Sequence, residues 1–195
     1  LIFIVSVVFI SISISGYGSL IKLDIKKNFF LNILLGFIVL SLIVTFIHFF
    51  FKINFLISLL IFFIGILIFS IKKNINFSSL LNKKFIYFFI ILLLFAPIYL
   101  SQKYHEDFGY YHLPYALAFL EEKIIFGFAN VNPTYVYNSI WLNMNSIFFL
   151  NDKNFNFLTL PSYLLYLSFI FFSLQNMFSV KHIKISDYYL LVLLF

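Results

Sequence analysis

The chain has 195 residues, of which 63% are hydrophobic and 10% charged. Soluble domains carry about 45–50% apolar and about 25% charged residues, so this composition excludes an ordinary soluble fold and predicts an all-α, polytopic integral membrane protein. The net charge of +6 comes from Lys alone, with no Arg. Because those Lys residues sit in short loops between apolar runs, they read as orientation signals and not as a nucleic-acid surface. There is no Cys, hence no disulfide and no thiolate metal site in this stretch. Abundant Phe, Ile, Leu, Asn and Lys without Arg is what an AT-rich bacterial genome encodes.

The chain starts at Leu1 within one apolar run and stops at Phe195 within another, as expected for a fragment of a longer protein. A signal peptide over residues 1–15 is the rival reading, but it lacks a basic n-region and an A-x-A-like cleavage site. A spanning helix needs about 20 predominantly apolar residues. Runs at 29–50, 53–71, 85–101 and 155–177 approach or meet that length, and 1–15 and 188–195 are partial, giving about five to six spans. Gly16, Tyr17 and Gly18 are expected to close the first run.

Lys22, Lys26 and Lys27 follow the first run; Lys72, Lys73, Lys83 and Lys84 lie between the third and fourth, and Lys181 and Lys184 follow the fifth. The positive-inside rule places these alternate loops in the cytoplasm. Residues 102–153 then face outward, periplasmic or extracellular, from a bacterial inner membrane. None of the expected spans carries Asp, Glu, Lys or Arg in its interior, which argues against an ion or proton pathway here. His48, near the outer end of the second run, reads as an interfacial or buried structural histidine.

The segment 102–153 is the one long polar interruption and holds five of the seven acids: Glu106, Asp107, Glu121, Glu122 and Asp152. Within it, Leu113, Leu117, Leu120 and Ile124 recur at spacings of three and four behind Pro114, predicting an amphipathic helix on the membrane surface, stopped by Gly127. Glu106 and Asp107 then lie between the fourth span and that helix. A carboxylate there is suited to accept a proton from a sugar hydroxyl or to hold a divalent cation; solvating the loop or capping the next helix is the plainer role. His112 could donate to a phosphate oxygen or orient the carboxylate, or be a polar surface group. His105, Asp107 and His112 match no established zinc spacing. Further on, Asn130, Asn132, Tyr135, Tyr137, Asn138, Trp141, Asn143 and Asn145 combine amides with flat aromatic faces, a surface suited to carbohydrate, or an interfacial aromatic belt.

The series DFGYYHLP, EEKIIFGFANVN and YNSIWLN resembles a family of uncharacterised multi-pass bacterial membrane proteins, whose outer loop reads approximately D-x-G-L-Y-H-L, then a helix, then G-L-A/G-N, then N-S-S. Asp107, Gly109, Tyr111, His112, Leu113, Gly127, Asn130, Asn138 and Ser139 fall on that pattern. Tyr110 and Phe128 stand where Leu is usual, and residues 134–136 replace a basic segment containing Arg, which removes one candidate phosphate clamp. That family in turn resembles the GT-C class of membrane glycosyltransferases. The resemblance implies transfer of a sugar from a polyprenyl-phosphate donor to a glycan or lipid acceptor in cell-envelope synthesis. Asp107 would act as general base or metal ligand, supported by Glu106. His112 and Lys103 would stabilise the departing phosphate, while Tyr111, Asn130, Asn138, Ser139 and Trp141 would contact substrate. A glycan polymerase, a lipid-linked oligosaccharide translocase and a non-catalytic structural membrane protein are the alternatives.

Overall fold

The structure, a computed structural model, describes residues 2–22, 28–72, 113–127, 139–149 and 158–179, with 86–87, 90–91, 93–94, 97, 109–110 and 130 as isolated positions. No strand occurs among the described residues, and the fold class is all-α. Among the described residues six bounded helices follow in order: α1 (Ile2–Gly18), α2 (Phe29–His48), α3 (Phe55–Ile71), α4 (Leu113–Glu121), α5 (Ile140–Asn145) and α6 (Leu160–Ser179). A single 3-10 turn, Ser146–Phe148, continues α5. Among the described residues, α2 is the one helix long and apolar enough to cross a membrane; Val5–Gly18, Phe55–Ile71 and Leu160–Leu174 are shorter apolar helices. The expected span 85–101 lies mostly outside the described residues and 188–195 wholly so.

Asparagines set where α2 and α3 begin. Asn28 Oδ1 accepts from Leu31 N at 2.7 Å and Asn54 Oδ1 from Ile57 N at 2.9 Å, each satisfying an N–H that the first helical turn leaves unpaired. The third run therefore starts as helix at Phe55 and not at residue 53. Ile53 instead lies buried in the corner between α2 and α3, and its N–H donates to the Phe119 carbonyl at 3.2 Å.

The first helix ends at Gly18, within the expected closure at Gly16, Tyr17 and Gly18, and Gly16 and Gly18 are also crossing points where helix backbones meet. A Cβ on Gly16 would fall on the Gly65 carbonyl of α3, and one on Gly18 on the Asn32 carbonyl of α2. Gly36 meets the Ile14 carbonyl in the same way, so α1 and α2 run antiparallel, with Gly18 against Asn32 and Ile14 against Gly36. Small residues at such crossings let backbones approach closely enough for dispersion to act along the whole interface. The buried Tyr17 adds a polar tie, donating from its hydroxyl to the Ile61 carbonyl of α3 at 2.6 Å.

Helix α1 packs along both α2 and α3, while α2 also takes α5 and α6. One core joins Val7, Ile10 and Ile14 of α1, Phe37, Leu40 and Val44 of α2, and Leu160, Leu164 and Leu167 of α6. Residues 140–149, expected as part of an outward polar loop, fold back into this core. Met144, Ile147 and Phe148 are fully buried, and the Phe148 ring stands edge-on to Phe62 of α3 at 5.4 Å. The apolar content of IWLNMNSIFFL explains the difference: its polar residues dilute the average without removing a face to bury.

Outward faces of α2 and α3 are apolar as well. Ile38, Leu42 and Phe46 recur every four residues on α2, and Leu56, Leu60, Phe63 and Ile71 lie on α3, all more than half exposed.

Candidate functional site

Helix α2 ends where the polar interruption attaches. His48, its last residue, is fully buried. Its Nε2 donates to the Glu122 carbonyl at 2.9 Å, since a carbonyl can only accept. The ring meets Phe119 edge-on at 4.7 Å, and Phe119 in turn meets Tyr115 edge-on at 4.8 Å. Two backbone bonds complete the clasp: Ile124 N donates to the His48 carbonyl at 3.1 Å, and Ile53 N to the Phe119 carbonyl at 3.2 Å. The C-terminal end of α4 is thus fixed to the corner after α2 by three hydrogen bonds.

One turn back along α2, Thr45 Oγ1 accepts from Asn143 Nδ2 of α5 at 3.1 Å. Asn143 is buried, with its side chain beside the His48 imidazole. Ser146 Oγ donates to the Asn143 carbonyl at 2.6 Å, which tightens the passage from α5 into the 3-10 turn. Two separate parts of the interruption, residues 122–124 and Asn143, therefore converge on the last turn of α2, through polar groups set in an otherwise apolar packing. In such surroundings unpaired polar atoms are costly, so a small displacement here has a large energetic effect.

Helix α4 has the expected apolar stripe: Leu113, Leu117 and Leu120 pack onto Ala116, Phe149 and Leu158. It ends at Glu121, and Ile124 lies beyond it in extended chain. Gly127, expected as its stop, instead sits in a separate turn at φ +78°, where the Asn130 N–H donates to the Gly127 carbonyl at 2.9 Å. Glu122 N still donates to the Ala118 carbonyl at 2.9 Å, but beyond it the Glu122 carbonyl and the Ile124 N–H turn to His48, and the helix stops there.

Of the candidate site residues, Lys103, Glu106, Asp107, Tyr111, His112 and Asn138 lie outside the described residues. Asn130 is exposed at the Gly127 turn. Ser139 is half-buried at the start of α5; its carbonyl accepts from Asn143 N at 3.0 Å while its side chain makes no capping bond. Trp141, also half-buried, packs on Phe37 of α2 with ring centroids 5.9 Å apart. Asn143, one of the amides expected to face carbohydrate, points inward. Among the described residues no three His, Cys, Asp or Glu side chains lie close enough to hold a metal ion.

The His48, Thr45 and Asn143 cluster went unread because its members are about a hundred residues apart at the extremes. A signal did exist: Thr45 and His48 are three apart on one face of an apolar helix, where a polar stripe marks a polar partner.

No curated protein and no solved structure matches the chain. The chain belongs to the family DUF8201, a domain of unknown function, which matches it over residues 1–195.

Proposed function

We propose that the chain is part of a multi-pass helical protein of a bacterial cytoplasmic membrane, with about five to six spans and residues 102–153 on the outer side. It transfers sugar there from a polyprenyl-phosphate donor to a glycan or lipid acceptor. The observation that carries the reading is the crowding of five of the seven acids into one interruption of an otherwise apolar chain. The apolar outward faces of α2 and α3 support the membrane setting, since a water-exposed surface rarely presents apolar residues so continuously.

In this reading Asp107, supported by Glu106, removes the proton from the acceptor hydroxyl; as a metal ligand instead, Asp107 would hold a divalent cation that offsets the donor phosphate's charge. The acceptor oxygen bonds to the anomeric carbon as that carbon's bond to the phosphate oxygen breaks, and polyprenyl phosphate departs with the electron pair. His112 and Lys103 stabilise its charge. Tyr111, Asn130, Asn138, Ser139 and Trp141 hold the substrate. The clasp around His48 ties residues 119–124 of this loop to the end of α2.

The test is complementation of a deletion strain with the complete gene, wild type or Asp107→Asn, at equal membrane abundance. The expected result is a missing surface sugar restored by wild type, with transfer by Asp107→Asn lowered at least about a hundredfold, the scale of losing a general base. Equal restoration by both removes Asp107 from catalysis. A deletion that leaves surface glycans unchanged removes the transferase reading itself.

A further inference from the structure

The clasp brings together two exposed aromatic segments that lie far apart in sequence. Phe49, Phe50 and Phe51 form the turn after α2, and Phe126 follows the Glu122–Ile124 attachment. Phe49 and Phe126 stack at 5.8 Å with ring planes 23° apart, and Phe46 meets Phe50 edge-on at 5.4 Å. These rings are not covered: Phe50 is 59% exposed, Phe51 62% and Phe126 81%. Hydrogen bonds on both sides of the turn, from Ile53 and Ile124, hold the segments in place, so the ridge is a built surface.

Resting on the membrane reading above, we infer that this ridge seats in the boundary between headgroups and acyl chains on the outer side of the bilayer. Three features select lipid as its occupant. The ridge continues the apolar row Ile38, Leu42, Phe46 of α2, the helix long enough to cross. It lies at the end of that helix, and Phe side chains beside a charged rim bury into the boundary between headgroups and acyl chains. Its rim carries exposed charges of both signs, Lys52 and Lys123 with Glu121 and Glu122, which complement the phosphate and ammonium of zwitterionic headgroups. The consequence is that the segment after α4 is held at headgroup depth, where the phosphate of a lipid-linked substrate lies.

The chain has no cysteine, so single spin labels can be placed without background substitutions. Leu60→Cys, on the outer face of α3, and Phe126→Cys are labelled with a nitroxide in phosphatidylcholine vesicles, and collision with oxygen is compared with collision with a water-soluble nickel chelate. Phe50→Cys serves as a second ridge position should Phe126→Cys fail to fold. The expected result is a deep site at 60, favouring oxygen several-fold, and an interfacial depth at 126. Free access of nickel to 126 overturns the inference in favour of a water-facing ridge. Exclusion of both probes from 126 overturns it in favour of a second copy or a partner protein. Free access of nickel to 60 overturns the membrane reading on which it rests, whereas a loss of sugar transfer would leave these depths unchanged.

Discussion

Gly16→Ala sets two known effects against each other. On helix propensity alone Ala would stabilise α1 by about 1 kcal/mol. A Cβ at residue 16, however, would fall on the Gly65 carbonyl and close to the Phe69 amide, both backbone atoms of α3. A carbonyl fixed in its own helical ladder cannot turn aside as a side chain could, so α1 and α3 must separate along their crossing. Overpacking of this kind costs about 1–3 kcal/mol, with the upper half expected against backbone, which leaves a net loss of about 1–2 kcal/mol. At about 2–4 °C per kcal/mol for a chain of this size, the melting temperature should fall roughly 2–8 °C.

The assay is thermal unfolding of the purified protein, with Gly109→Ala as the control because no atom lies within 4 Å of a Cβ there. Gly65→Ala should behave like Gly16→Ala, and the double variant should lose less than the sum, since helices already parted by one methyl accommodate the other. A Gly16→Ala protein that melts at or above wild type would refute the close crossing of α1 and α3.

Three further substitutions read other parts of the fold. Tyr17→Phe removes the 2.6 Å bond to the Ile61 carbonyl without changing shape, and should lower stability by about 1 kcal/mol in denaturant unfolding. Asn54→Ala removes the cap of α3 and should cost about 1 kcal/mol, with Asn54→Asp retaining most of it. His48→Ala leaves the Glu122 carbonyl without its donor, at about 1–3 kcal/mol. Its effect should be local, with hydrogen exchange rising over residues 119–127 while α1 keeps its protection; unchanged exchange there would refute the clasp.

Run length made α2 and α3 legible to within a few residues, because an apolar stretch of that size has little alternative to a helix. The caps went unread, although an Asn stands at the start of each helix, Asn28 before α2 and Asn54 before α3. The full meaning of the glycines was not legible either. Gly-Tyr-Gly after an apolar run reads as a stop, and α1 does end there, but the sequence does not show that a partner backbone also uses the missing side chain as room for contact. Gly36 and Gly65, isolated within apolar runs, were the available signal, since a glycine mid-helix costs about 1 kcal/mol unless something approaches it closely.

The candidate site divides along the same physical line. Glu106 and Asp107 stand out by charge, a property of single residues that needs no partner to be noticed. The cluster at the end of α2 is made of pairs: His48 with Glu122, Thr45 with Asn143, Phe49 with Phe126. Each pair joins positions more than seventy residues apart, so no local window contains both members. What a window does contain is one half of each pair, placed where its surroundings do not suit it. A threonine and a histidine share one face of an apolar helix, amides interrupt the apolar run of residues 140–149, and phenylalanines crowd a turn. Residues that fit poorly into their own segment are explained by another segment, and here all three sets meet at the last turn of α2 and the corner beyond it. That convergence makes the end of α2 the place on which the packing of residues 119–127 and 139–149 depends.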